Sequence, residues 1–180
     1  MLKEVVMQWK DFDIDTGRQD NIECQRMTQS INLRKALTSD GILGLHINDN
    51  HNTINTETYG RYPKVKEFMN WFESTYGGEI HRIAIVHLPP EGVVDSHIDG
   101  GEYYADKDRF HLVLSGYYNN IVMNEDIRKN DIEMYSAGDL WWFDNKSMHN
   151  VENITKNIPR IAIIFDVLDY TEENKFKLIR

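Results

Sequence analysis

With only one cysteine, Cys24, in 180 residues, the chain can form no disulfide within itself and no cysteine-based zinc site. It is also poor in positive charge: 20 lysines and arginines stand against 29 aspartates and glutamates, a net charge of −9. That balance argues against a nucleic-acid backbone or an anionic membrane as the main partner, and neither is expected. No apolar run approaches the length that crosses a bilayer, and the opening "MLKEVVMQWKDFDIDTG" lacks an apolar core followed by a cleavage site. The expectation is a reduced, cytoplasmic protein. Internal repeats, low-complexity tracts and Pro/Gly/Ser-rich linkers are missing too, so residues 1–180 read as one domain.

What is present suits an ordinary buried core: 41% hydrophobic residues and four tryptophans. Residues 1–79 read as a mixed, partly helical support region. "LKEVVMQW" fits a first strand or a short helix, "MTQSINLRKAL" a short helix, and "TSDGILGLHINDNHNT" a polar loop carrying His46 and His51. "YPKVKEFMNWFESTYGG" is a clearer helix. Val65, Phe68, Met69 and Phe72 fall at helical spacing, Pro63 suits the first turn, and Gly77-Gly78 suits the stop.

From residue 80 the period changes. "EIHRIAIVHL", "GVVDSHID", "RFHLVLSGYY", "DIEMYSAGDLWWFD" and "PRIAIIFDVLDY" are short strand-like runs punctuated by Gly, Asp, Asn and Pro. Such spacing predicts a sandwich, jelly roll or small barrel over 80–168, with 169–180 as a C-terminal tail. The fold class is therefore mostly β, with helices ahead of it.

Chemistry-bearing residues concentrate in "HIDGGEYYADKDRFHLVL", residues 97–114. In a strand, residues i and i+2 share a face, so His97 pairs with Asp99 and Arg109 with His111. If both runs lie in one sheet, all four side chains line one cavity. His97 and Asp99 offer one imidazole nitrogen and one carboxylate oxygen to a metal. His149, in "DLWWFDNKSMHNVEN", offers a second imidazole. Two histidines and a carboxylate leave positions open on the metal, the pattern of non-haem Fe(II) oxygenases. Arg160 then heads the apolar run "PRIAIIFDV", and an arginine entering an apolar interior calls for an anion. Its planar fork suits a carboxylate gripped at two points, as a dicarboxylate co-substrate would present.

Each feature has a plainer explanation when taken singly. A His-x-Asp pair is common, His149 fits an edge or loop histidine, and Arg160 fits a strand-end surface residue. Arg109 could pair with Asp106 or Asp108, at little gain if exposed. His46, His51, His81 and His87 read as structural or surface residues, His87 being the one beside the Pro89-Pro90 turn. Trp141, Trp142 and Phe143 read as core packing. Tyr103 and Tyr104 fit either a lid or a plain exposed loop.

Taken together, "LPPEGVVDSHIDGG", "RFHLVL" and "GDLWWFDNKSMHNVENITKNIPRIAIIFDV" resemble the aspartyl/asparaginyl β-hydroxylase family of Fe(II)- and 2-oxoglutarate-dependent oxygenases. The resemblance covers roughly residues 80–168 and rests on four blocks in the family's order. It implies a double-stranded β-helix, a cupin-like jelly roll, with helices packed outside. It implies His97, Asp99 and His149 as iron ligands and catalytic residues, and Arg160, Arg109 and His111 as contacts of 2-oxoglutarate, with O2 as oxidant. The activity implied is hydroxylation of an aliphatic C–H of an amino acid or of an Asp-, Asn- or Pro-type residue, releasing succinate and CO2. The partner is then a small-molecule amino acid or a peptide. Asp99 departs from the animal peptidyl branch, which lacks the acidic ligand, and relatives of this kind hydroxylate free amino acids such as proline. Val86 stands where the animal enzymes carry serine. A metal-binding cupin-like isomerase or sensor without oxygenase chemistry, and a non-catalytic barrel that binds a partner, remain the alternatives.

Overall fold

Beyond residue 79 β-branched and aromatic residues alternate with polar ones, and they form strands with one face on each of two apolar layers. The computed structural model describes residues 1–37, 51–123 and 130–169. Ten strands lie among them: β1 (Gln29–Ala36), β2 (Thr53–Asn55), β3 (Glu79–Leu88), β4 (Val93–His97), β5 (Lys107–Ser115), β6 (Tyr118–Met123), β7 (Asn130–Tyr135), β8 (Leu140–Phe143), β9 (Met148–Glu152) and β10 (Arg160–Leu168). They pair antiparallel in a large sheet of order β2-β1-β3-β10-β5-β8 and a small sheet of order β4-β9-β6-β7. From β3 onward the chain crosses repeatedly between the two sheets, the course of a double-stranded β-helix. The jelly-roll class expected from the sequence is the class observed.

The two faces of the large sheet do different work. Ile83, Ile85, Phe110, Leu112, Ile161, Ile163, Phe165 and Val167 face outward and join the main core. Their alternates Val86, Arg109, His111, Arg160 and Ile164 face a cavity between the sheets.

The outer face is covered by helix. Four helices occur among the described residues: α1 (Leu2–Met7), α2 (Gly17–Asn21), α3 (Pro63–Tyr76) and α4 (Glu102–Ala105). Pro63 opens α3, and Gly77 ends it at φ 78°, a left-handed conformation that glycine adopts without strain. Its Val65, Met69, Phe72 and Tyr76 are buried against the sheet, where Phe72 meets Phe165 and Phe110 edge-on at ring distances of 4.9 and 5.1 Å. Val5 and Phe12 of the N-terminal segment seal the same core. Among the described residues no helix is long and apolar enough to cross a membrane.

Several local expectations change. "MTQSINLRKAL" is not a helix but contains β1, with Ile31 and Leu33 buried on one face and the strand hydrogen-bonded to β2 and β3. Pairing on both edges outweighs the helix propensity of Leu, Arg, Lys and Ala. "LKEVVMQW" is helical, as α1. The run "DIEMYSAGDLWWFD" splits into β7 and β8, in different sheets, and His149 sits in strand β9. His46 and most of the C-terminal tail lie outside the described residues.

Two turns fix the ends of the cavity strands. Asn153 is fully buried and donates from Nδ2 to the carbonyls of Leu88, Pro89 and Ile158, at 3.3, 2.9 and 3.0 Å, which ties the Pro-Pro turn to the β9–β10 loop. Gly116 ends β5 at φ 84°, where an added Cβ would lie 2.8 Å from the Pro159 carbonyl and 2.9 Å from Arg160 Cα. The start of β10 can come that close only to a residue without a side chain.

Candidate metal centre

β4 and β9 are neighbours in the small sheet, and their register places His97 opposite His149. Between Val94 and His97 the ladder shifts: three residues of β4 span the distance that two residues of β9 cover from Val151 to His149. This bulge re-aims the strand, so that Val94 and His97 both line the cavity although they are an odd number apart. Alternation alone would have turned one of them away.

The imidazoles are oriented from behind. His97 Nδ1 lies 2.8 Å from the Asp95 carbonyl and His149 Nδ1 lies 2.9 Å from the Ser147 carbonyl. A carbonyl only accepts, so each Nδ1 carries the proton and each Nε2 keeps a lone pair for a ligand. Burial lowers the pKa of His149, which favours this neutral form.

Asp99 lies just past the end of β4 rather than within it. Its backbone N–H donates to the Asn145 carbonyl at 3.0 Å, and the Asn145 amide donates back to Asp99 Oδ2 at 3.0 Å. Arg109 Nη1 also donates to Oδ2. The other oxygen, Oδ1, faces His97 Nε2 at 3.6 Å. Burial pushes the Asp99 carboxyl up, but Arg109, then His149 and Asn145, outweigh it and hold the group below its ordinary value. His97, Asp99 and His149 each offer one atom, all within 4.8 Å of one another. Two atoms about 2.1 Å from one ion stand at most about 4.2 Å apart, so this spread is little wider than a bound set. Two imidazoles and one carboxylate held below its ordinary value fit a divalent transition metal.

Arg109 does not pair with Asp106 or Asp108. It bridges Asp99 to Asp166, donating to Asp166 from Nε at 2.8 Å and from Nη2 at 3.2 Å. Burial disfavours its charge, yet Asp166 and Asp99 together raise its pKa well above the ordinary value. Asp166 also accepts from the Tyr103 hydroxyl at 3.0 Å, which in turn accepts from the Arg82 backbone N–H at 3.1 Å. Tyr103 is wholly buried, with the Arg82 guanidinium 3.6 Å above its ring. It is therefore not part of an exposed loop. Asp106 pairs with Lys107, and Asp108 accepts from Trp142.

Arg160, 1% exposed, enters the cavity from the large sheet. Its Nη2 lies 3.3 Å from His111 Nδ1. Burial, followed by the charges of Arg160 and Arg109, pushes the pKa of His111 well below its ordinary value, so this imidazole is neutral. Nδ1 accepts from Arg160, and Nε2 carries the proton. The Trp141 ring packs on His111 at 4.6 Å.

The arrangement differs from the sequence expectation in one respect. His97 and His149 belong to the small sheet and Arg109, His111 and Arg160 to the large one, so the groups face one another across the sandwich instead of sharing a sheet. Val86, Val94, Val151 and Ile164 complete the apolar wall, around about 380 Å³ of space including the mouth. His87 faces away from it, against Trp9 and Phe12. Sequence reasoning missed Asn145, Asp166 and Arg18. An acidic residue ending an otherwise apolar strand was the signal available for Asp166.

The family profile described as aspartyl/asparaginyl beta-hydroxylase matches residues 7–169, and the chain belongs to that family. No curated protein matches the sequence. Among solved structures, a vicilin from Solanum melongena is similar at 17% identity and TM-score 0.40, over 49% of this chain and 21% of that one. A predicted oxalate decarboxylase from Thermotoga maritima is similar at 19% identity and TM-score 0.39, over 57% of this chain and 73% of that one. An oxalate oxidase is similar at 20% identity and TM-score 0.39, over 52% and 43%. The chain thus matches about a fifth of the length of the vicilin.

Proposed function

We propose that this cavity is the active site of an Fe(II)- and 2-oxoglutarate-dependent dioxygenase that hydroxylates an aliphatic C–H of an amino acid or of an Asp-, Asn- or Pro-type residue. The observation that carries the reading is one cavity with His97 and His149 on one wall, Asp99 within reach of both, and the buried Arg160–His111 pair on the other wall. Iron together with 2-oxoglutarate and O2 supplies the oxidising power, with succinate and CO2 as co-products.

The chain's own residues do the rest. His97 and His149 present Nε2 lone pairs fixed by backbone carbonyls, and Asp99 offers Oδ1 while Arg109 and Asn145 hold Oδ2. Arg160 receives the far carboxylate of 2-oxoglutarate, its guanidinium oriented by His111. The Nε2–H of His111 and the cavity side of Arg109 are donors for the same co-substrate. The valines and Ile164 exclude water from the reacting carbon.

The test is turnover of 2-oxoglutarate to succinate by purified protein with Fe(II) and ascorbate. Slow substrate-independent turnover is expected, stimulated by one member of a panel of free amino acids and short Asp-, Asn- or Pro-containing peptides. Arg160→Ala should weaken 2-oxoglutarate binding by about 2–5 kcal/mol while leaving Mn(II) binding intact. Absence of both turnover and metal-dependent 2-oxoglutarate binding would sink the reading.

A further inference from the structure

One charged side chain in the cavity has no part in the scheme above. Arg18, in α2, lines the same cavity as His97, His149, Arg109 and Arg160. It is carried by a different element from Arg160. The segment after α2, a 3-10 turn over Glu23–Gln25, packs on β4 of the small sheet, whereas Arg160 rises from the large one. Gln25 and Thr28 from that segment also line the cavity.

Its surroundings define what it can bind. Arg18 Nε donates to Gln25 Oε1, a neutral amide that orients the guanidinium without neutralising it. Among the described residues no carboxylate lies within ion-pair distance of Arg18. Burial, and then the charge of Arg109, disfavour the Arg18 cation; Tyr104 and Asp99 act the other way, and Arg160 in the same sense as Arg109. Arg109 is neutralised in place by Asp99 and Asp166. Arg18 is therefore a cation held by a neutral partner in a cavity that already contains other guanidiniums, and that arrangement favours an incoming anion. The Nη edge of the guanidinium remains for a planar, two-oxygen group.

We infer that Arg18 is the substrate anchor of this site and that the substrate is a compact molecule with a free carboxylate, an unblocked amino acid before a peptide interior. The inference rests on the proposed hydroxylase reading and adds to it a division of labour: Arg160 holds the co-substrate diacid, and Arg18 holds the carboxylate of the molecule to be oxidised. Gln25 is then a positioning residue that acts through Arg18. The two anchors, carried by different elements, set where along its length the substrate meets the metal-facing histidines.

The experiment is calorimetric titration, without O2, of the protein loaded with Mn(II) and 2-oxoglutarate. The probes are the free L-amino acids, proline included, each paired with its carboxamide. At least one free amino acid should bind the native protein, and its amide should bind about thirtyfold more weakly, the loss expected for one partner of a desolvated charge pair. In Arg18→Gln the acid should fall to the level of the amide, and Arg18→Lys should recover part of the difference. Affinity for 2-oxoglutarate should stay within about twofold in both variants, and thermal unfolding should confirm that both fold.

An acid-to-amide ratio in Arg18→Gln equal to that of the native protein overturns the assignment. So does a loss of 2-oxoglutarate affinity in Arg18→Gln, which would make Arg18 a co-substrate contact. Binding of no free amino acid by a native protein that does bind 2-oxoglutarate overturns the substrate class. Failure of the native protein to bind 2-oxoglutarate at all refutes the hydroxylase reading, a separate result.

Discussion

His97 and His149 are register partners across the β4–β9 ladder, with ring centroids 4.3 Å apart and each Nδ1 held by the carbonyl two residues earlier in sequence. Both imidazoles are thus held with Nε2 as the atom left for a shared ion. His149→Ala should therefore abolish measurable Mn(II) binding. Asn145→Ala, which removes only a hydrogen bond to Asp99 Oδ2, should weaken it about 10- to 100-fold. In the native protein, Mn(II) at a hundred times its dissociation constant should raise stability by about 2.7 kcal/mol, readable in thermal or urea unfolding.

The ion pair behind the site is predicted to matter more for folding than for contact with substrate. Asp166 is buried, and it satisfies both Arg109 and Tyr103. Asp166→Asn leaves Arg109 with Asp99 as its one carboxylate and should cost about 3–5 kcal/mol in urea unfolding. Tyr103→Phe removes one hydrogen bond at each end of the same chain and should cost about 1–3 kcal/mol. Equal, small effects of both substitutions would show that the network contributes little.

Gly116 sets the position of Arg160. Gly116→Ala combines a left-handed φ with a Cβ driven into the Pro159 carbonyl and Arg160 Cα, and backbone strain of this kind costs about 1–3 kcal/mol. The start of β10 must move, so 2-oxoglutarate affinity should fall more than Mn(II) affinity when both are titrated into the folded variant.

Acid should destabilise the fold through buried histidines. Burial lowers the pKa of His81, His87 and His111 below the ordinary 6.5. Below pH 6.5 the unfolded chain takes up protons that the folded chain refuses, so stability is full above that pH and is lost as pH falls towards the folded values. His87 isolates the effect, because it packs on Trp9 and Phe12 away from the metal-facing groups. Melting temperature should drop from pH 7.5 to pH 5.5, and His87→Leu should flatten that slope relative to the native protein.

These predictions draw on residues that were unequally visible in the sequence. α3 was legible because its apolar spacing, Pro63 and the glycine pair are all local. The strands after residue 79 were legible because alternation is local too. His97, Asp99, His149 and Arg160 stood out through their chemistry; His97, His149 and Arg160 line one cavity, and Asp99 lies beside the two histidines. β1 was misread because its partners, β2 and β3, are remote in sequence and local propensity favours helix. The separation of His97 from Arg109 and His111 into facing sheets was equally invisible, since strand alternation says nothing about which strands pair. Asp166 and Arg18 lie 57 and 91 residues from Arg109, and only the folded chain brings such groups together.

The bulge in β4 has a consequence for how this site tolerates insertion and deletion. Because strand side chains alternate, the sense in which His97 points is a matter of parity, and the extra residue between Val94 and His97 supplies the odd count. Deleting Ser96 alone would remove the bulge and put His97 two residues from Val94, an even count that regular alternation also turns inward, still opposite His149. A protein so shortened should keep both its sheet and its inward-facing histidine, whereas the same deletion in a strand without a bulge would flip every side chain beyond it.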